Sequence, residues 1–247
     1  ETYPLYAENN FLPDFADIPE KTAKVAKFMI ISYPANPVCS VADDSFYEKA
    51  IAFAKKYNVI LLHDNAYSDI IFGGKEGKSF LSYPGAMEVG IEFYSLSKSY
   101  NMTGMRISFA LGNKDVIQMF RKVRSQIDYG IFLPIQKAAV AALTGPQDNV
   151  KEQCRIYEER NYALCRGMSS IGWKIPDGQG TMFVWARIPG GRTDSMAFCM
   201  ELMEKAGVIV TPGASFGPHG EGYVRFALVL PPEKIKEAVE AIRTSGI

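Results

Sequence analysis

Lys98 lies in the run Tyr94-Ser95-Leu96-Ser97-Lys98-Ser99-Tyr100, and Arg106 follows eight residues later. A lysine amine forms an imine with a carbonyl, one of the few ways a protein nucleophile tethers a cofactor covalently. Ser95 and Ser97 supply short hydroxyl donors, and an arginine fork matches phosphate oxygens in pairs where a second lysine offers only a point charge. Capture of a phosphorylated aldehyde is the chemistry these residue types permit. Taken alone, the same run reads as a solvated serine-rich turn with one lysine.

The elements that must position this run are legible around it. Residues 27–32 are a short apolar run ending in the turn-rich Tyr33-Pro34-Ala35-Asn36-Pro37, as expected of a buried strand. A helix follows, capped by Asp43 or Asp44, with Phe46, Ala50, Phe53 and Tyr57 at helical spacing and Lys55 and Lys56 near its end. Residues 59–63 are a second strand. Strand, crossover helix and strand imply a right-handed parallel unit, whose carboxyl edge is where open α/β sheets bind ligands. Asn36 and Asp64 fall just past that edge. Residues 92–94 are a third strand delivering Lys98 to it, and residues 106–111 a fourth, turned by Gly112-Asn113.

Helices are expected over residues 115–128 and 134–143, the second broken by Gly145-Pro146, and the domain boundary is placed there. Residues 1–149 form the first domain and 150–247 the second. The second is expected to be α+β, with a long helix over 150–170, strands over 181–186 and 223–229, and helices over 195–206 and 232–244. No internal repeat or low-complexity segment interrupts this order.

Composition narrows the function classes. The 247 residues, 47% apolar, suit one large or two smaller domains with a substantial core. Lys plus Arg equals Asp plus Glu at 27 each, so no net field draws the chain to nucleic acid or an anionic membrane. Cys39, Cys154, Cys165 and Cys199 are scattered, without a Cys-x-x-Cys pair, and only His63 and His219 add imidazoles. No metal site is expected, and buried thiols in a reducing cytoplasm are. No apolar run is long enough to span a bilayer, and the first residues lack a basic and apolar targeting pattern. The missing initiating Met suggests a processed chain or a piece of a longer one.

Five motifs together resemble the fold-type I pyridoxal-phosphate aminotransferases of class I/II. They are Pro34-Ala35-Asn36-Pro37, Asp64-Asn65-Ala66-Tyr67, Ser95-Leu96-Ser97-Lys98, Arg106, and Tyr223-Val224-Arg225-Phe226, in the family's order and spacing. The segments 180–185 and 210–217 are also family-like, so the resemblance covers nearly the whole chain. It implies an α/β fold: part of a mostly parallel-sheet large domain followed by a smaller α+β domain.

The resemblance also implies the cofactor, pyridoxal 5'-phosphate, held by Lys98 as a Schiff base. Lys98 then acts as the base that moves a proton between substrate and cofactor carbons. Asp64 pairs with the pyridine nitrogen and makes the ring an electron sink. Asn36 and Tyr67 bond the ring oxygen, and Ser95, Ser97 and Arg106 bind the phosphate. Arg225, within an otherwise apolar strand, binds the substrate α-carboxylate; on sequence alone a structural salt bridge is a serious competing account. Asn36 borders the substrate too, and the Asn36–Pro37 bond is expected to be cis.

Transamination between an L-amino acid and a 2-oxo acid is the implied reaction, in a cytoplasmic homodimer. A carbon-sulfur β-lyase on the same fold and an aminotransferase-like sensor module of a transcription regulator are the alternatives. The family's upstream Gly-rich phosphate turn, ring-stacking aromatic and partner-subunit tyrosine are not found here, so Glu1 is expected to fall inside the large domain of a longer protein. Cys39 replaces the glycine common after the Asn-Pro turn. No arginine stands around residues 125–128 for a distal carboxylate, which argues against strict dicarboxylate specificity. Asn101-Met102-Thr103-Gly104 and residues 8–13 are closer to the branch of LL-diaminopimelate and broad amino-acid aminotransferases.

Overall fold

Apolar β-branched runs between turn residues become the strands of two sheets in the computed structural model, which describes Glu1–Ile247. The elements run α1 (Glu20–Val25), β1 (Phe28–Ser32), α2 (Asp44–Tyr57), β2 (Ile60–Asp64), α3 (Ala86–Val89), β3 (Gly90–Ser95), α4 (Leu96–Ser99), β4 (Ser108–Gly112), α5 (Lys114–Arg124) and α6 (Leu133–Thr144). There follow α7 (Asp148–Ser170), β5 (Phe183–Arg187), α8 (Ser195–Ala206), β6 (Thr211–Pro212), β7 (Tyr223–Ala227) and α9 (Pro232–Ser245). The chain divides into two compact units, Glu1–Pro34 with Val41–Gln153 and Ala35–Ser40 with Cys154–Ile247. No helix is long and apolar enough to cross a membrane.

The first unit is built on a four-stranded sheet in the order β1-β2-β3-β4, parallel except that β4 runs antiparallel to β3. Asp43 caps α2 by accepting from Phe46 N–H at 2.8 Å, and Asn58 ends the helix in the left-handed region. The face that α2 buries includes Phe46, Tyr47, Ala50, Phe53 and Ala54. Because side chains alternate along a strand, β2 and β3 each present two different faces. Leu62, Asp64, Phe93 and Ser95 share one; His63, Glu92 and Tyr94 share the other.

On that second face a charged group has been brought into the core. His63 is fully buried and faces its register partner Glu92, Nδ1 to Oε2 at 3.0 Å. Ser79 Oγ and Phe80 N–H also donate to Glu92, at 2.9 and 2.7 Å, while His63 Nε2 lies 3.1 Å from the Tyr33 carbonyl. Tyr47 and Phe80 pack edge-on against the imidazole. Every carboxylate oxygen thus has a donor, the condition under which a buried charge is tolerated.

The second unit carries a three-stranded antiparallel sheet in the order β5-β7-β6. Trp173 packs edge-on against Phe198 and Phe226 and donates its indole N–H to the Arg187 carbonyl at 2.7 Å, which seats α8 against the sheet's apolar side.

Strand ends differ from the sequence expectations where the backbone leaves the β region. Arg106 has φ 52° and Thr181 φ 71°, so β4 begins at Ser108 and β5 at Phe183 rather than at 106 and 181. The helix expected to reach 128 stops at Arg124, and the two-residue β6 has too little sequence to show a period.

Burial pushes the Glu92 carboxyl up, but bonds from His63, Phe80 N–H and Ser79 outweigh it and hold it below the usual range. A depressed folded value means the contribution is complete above the unfolded value of about 4.3 and is lost as pH falls through the folded one. Glu92→Ala, which strands the buried His63, should cost about 3–5 kcal/mol in urea denaturation. Glu92→Gln should cost less, and it should flatten the loss of stability as pH falls below about 4.3.

Candidate active site

Register places the first group. Asp64 ends β2, exposed, beside Phe93 of β3, and Ser95 lies two residues further along the same face. Strand spacing and rise put the Asp64 and Ser95 backbones about 8 Å apart. Beyond Asp64 the chain turns at once: Asn65 N–H donates to the Phe93 carbonyl at 2.9 Å and Ile70 N–H to the Tyr67 carbonyl at 2.9 Å. This turn buries Tyr67.

Lys98 sits in α4, a single turn that leaves β3. Leu96 is fully buried and packs with Ile107 and Ala139, Ser99 is buried, and Ser97 and Lys98 are half-exposed. Lys98 Nζ lies 5.9 Å from the centroid of the Tyr67 ring, within cation–π range. Ser95 Oγ caps the turn by accepting from Ser97 N–H at 3.2 Å, which leaves its O–H to donate elsewhere. Thr103 Oγ1 donates to the Ser97 carbonyl at 2.9 Å, and Arg106 Nη1 donates to the Thr103 carbonyl at 3.1 Å. Arg106 is exposed, and one bond engages one of five guanidinium N–H groups. Within the first unit, then, Asp64, Tyr67, Ser95, Ser97, Lys98 and Arg106 gather at the carboxyl edge of β2 and β3.

Asp69 was not among the residues expected from sequence. Its Oδ2 accepts from Tyr94 Oη at 2.7 Å, Ser99 Oγ at 2.5 Å and Ser68 Oγ at 3.3 Å. Burial, and next the bond to Asp69, hold the Tyr94 phenol well above its usual range, so it stays a donor. The available signal was an acidic residue two positions past Tyr67, which turn statistics alone also explain. Thr103 was likewise missed as a strut beneath Arg106.

The second unit holds the other two expected residues. Arg225 occupies the central strand β7, and its Nη1 donates to Asn36 Oδ1 at 2.8 Å and Nη2 to Thr211 Oγ1 at 3.5 Å. The guanidinium lies over the rings of Phe183 and Phe216, at 4.1 and 4.7 Å. These partners are neutral: they orient the cation without cancelling its charge. Asn36 is exposed at the tip of its turn, and the Asn36–Pro37 bond is cis, as is Tyr33–Pro34. Behind it the Cys39 thiol lies 3.1 and 3.2 Å from the carbonyls of Pro37 and Phe183.

Residues 1–242 match the family of aminotransferases of class I and II. The chain belongs to that family. It is 48% identical over 240 residues to the LL-diaminopimelate aminotransferase of Moorella thermoacetica, covering 97% of this chain and 61% of the relative. It is 46% identical to that of Halothermothrix orenii, covering 99% and 62%. Among solved structures, substrate-bound BacF from Bacillus subtilis superposes with a TM-score of 0.95 at 41% identity, covering 99% of this chain and 62% of BacF. The probable N-succinyldiaminopimelate aminotransferase of Thermus thermophilus gives 0.92 at 36%, covering 99% and 66%. The chain therefore spans about three-fifths of the length of the relatives it matches.

Burial pushes the thiols of Cys39 and Cys199 up to about 11 and that of Cys165 to about 12. Thiolate, the reactive form, is thereby scarce at pH 8. Mass-spectrometric counting after treatment with a thiol reagent at pH 8 should find these three unmodified in the folded protein and modified in urea. Fast native labelling of Cys39 would contradict the packing of the Asn36 turn.

Proposed function

We propose that the complete protein is a pyridoxal-phosphate-dependent aminotransferase, moving an amino group between an L-amino acid and a 2-oxo acid. The observation that carries this reading is Lys98 beside the Tyr67 ring, on the same sheet edge as the Asp64 carboxylate and the Ser95, Ser97 and Arg106 donors. The donor set fits the cofactor: an amine for its aldehyde, a carboxylate for its ring nitrogen, and hydroxyls with a guanidinium for its phosphate. When bound, the cofactor supplies a carbonyl that takes up the amine and a ring that stores an electron pair.

The chain's residues do the rest. Lys98 Nζ holds the cofactor and then carries the proton taken from the substrate Cα. Asp64 keeps a proton on the pyridine nitrogen. Tyr67 and Asn36 donate to the ring oxygen, and Ser95, Ser97 and Arg106 bind the phosphate. Arg225, its fork oriented by Asn36, Thr211 and two phenyl faces, receives the substrate carboxylate. In this reading residues 1–149 belong to the large cofactor domain and residues 150–247 form the small domain. Four free cysteines, three of them buried, suit a cytoplasmic enzyme, and the working form is a homodimer. The names of the relatives make LL-diaminopimelate the first donor to test.

Borohydride reduction of the complete protein with pyridoxal phosphate, followed by peptide mapping, should place the label on Lys98. Recovery at another lysine would sink the assignment. Arg225→Lys, which keeps charge but loses the fork, should raise KM for amino and oxo acids about 10- to 100-fold, the range of a charged hydrogen bond. Cofactor affinity should stay within about twofold. A donor panel led by LL-diaminopimelate, scored by oxo-acid formation against pyruvate and thiol release, separates transamination from β-elimination.

A further inference from the structure

Asp69 lies two residues past Tyr67, and Ser99, one of its three donors, is the residue after Lys98. We propose that Asp69 is a positioning residue for Lys98: one carboxylate ties the turn carrying Lys98 to the loop carrying Tyr67 and to strand β3. This rests on the reading of Lys98 as the amine that captures the cofactor.

The geometry explains why such a tie is needed. α4 has four residues, too few to hold its own shape, because a single turn fixes several dihedrals for little hydrogen bonding. Leu96, buried among Ile107 and Ala139, pins its first residue. One apolar contact sets position but leaves orientation loose, since dispersion contacts have little directionality. Ser99, only 2% exposed and with its hydroxyl 2.5 Å from Asp69 Oδ2, pins the last residue. With both ends held, the Lys98 Cα–Cβ direction is set, and so is the region that its flexible four-carbon stem sweeps.

Asp69 is in turn held. Ser68 and Tyr94 donate to the same oxygen from the loop and from β3, and bonds to an ionised acceptor are about twice as strong as neutral ones. The carboxylate therefore joins three elements whose relative placement sets the 5.9 Å separation of Lys98 Nζ from the Tyr67 ring. Tyr94 differs from Ser99 in one respect: its strand is already fixed by backbone pairing to β2 and β4. Losing the Tyr94 hydroxyl should cost stability without freeing Lys98.

The test uses the complete polypeptide and pyridoxal phosphate, with the rate of borohydride-trapped label at Lys98 as the readout, beside urea midpoints and the kcat and KM of transamination. Ser99→Ala and Asp69→Ala should slow labelling by about tenfold or more and lower kcat with little change in KM, since a misplacement near 1 Å costs up to about 100-fold. Asp69→Asn, which keeps shape and one acceptor oxygen, should recover part of the rate, and Tyr94→Phe should label within about twofold of the parent. If Asp69→Ala fails to fold, Ser99→Ala and Asp69→Asn decide. A folded Ser99→Ala protein labelled at the parental rate overturns the tie and leaves Lys98 as the capturing amine. Label at a different lysine in the parent overturns both.

Discussion

A slip of one residue between β2 and β3 would leave Asp64 and Ser95 on opposite faces of the sheet, because side chains alternate with a period of two. What forbids the slip is the pairing of His63 with Glu92 in register, both buried, with Ser79 and Phe80 completing the carboxylate's bonds. Displacing His63 leaves the buried Glu92 carboxylate short of a partner, a larger penalty than any single apolar mismatch along these short strands. The candidate site on the sheet edge is thus aligned by polar contacts on the other face of the same two strands.

That division of labour recurs. Asp64 is exposed at the strand end, whereas Asp69, five residues on, is half-buried and accepts three hydroxyls on one oxygen. Both are turn aspartates by composition, and burial with partners separates their duties. Partners orient Arg225 as well: amide, hydroxyl and ring faces fix the direction of its fork.

Much of the fold was legible in the sequence because it depends on local pattern. Asp43 as the cap of α2, the apolar spacing of Phe46, Ala50 and Phe53, and the runs that became β1 and β2 need only neighbours within a few residues. Strand starts were less legible: the left-handed conformations of Arg106 and Thr181, rare for residues other than glycine, delay β4 and β5. The antiparallel placement of β4 and the brief β6 are likewise decided by pairing partners. Lys98, Asp64, Tyr67, Asn36 and Arg225 stood out by motif, but Asp69 and Thr103 did not, since hydroxyl and carboxylate partners leave no spacing signature.

By itself the sequence determined the family, the order of elements and which side chains carry amine, carboxylate, hydroxyl and guanidinium groups, because covalent order and local periodicity are written in it. Tertiary structure alone decided that Asn36 meets Arg225, 189 residues away, and that Asp69 meets Ser99 beside Lys98. Those meetings depend on chain closure and desolvation, which bring together groups that no local pattern links.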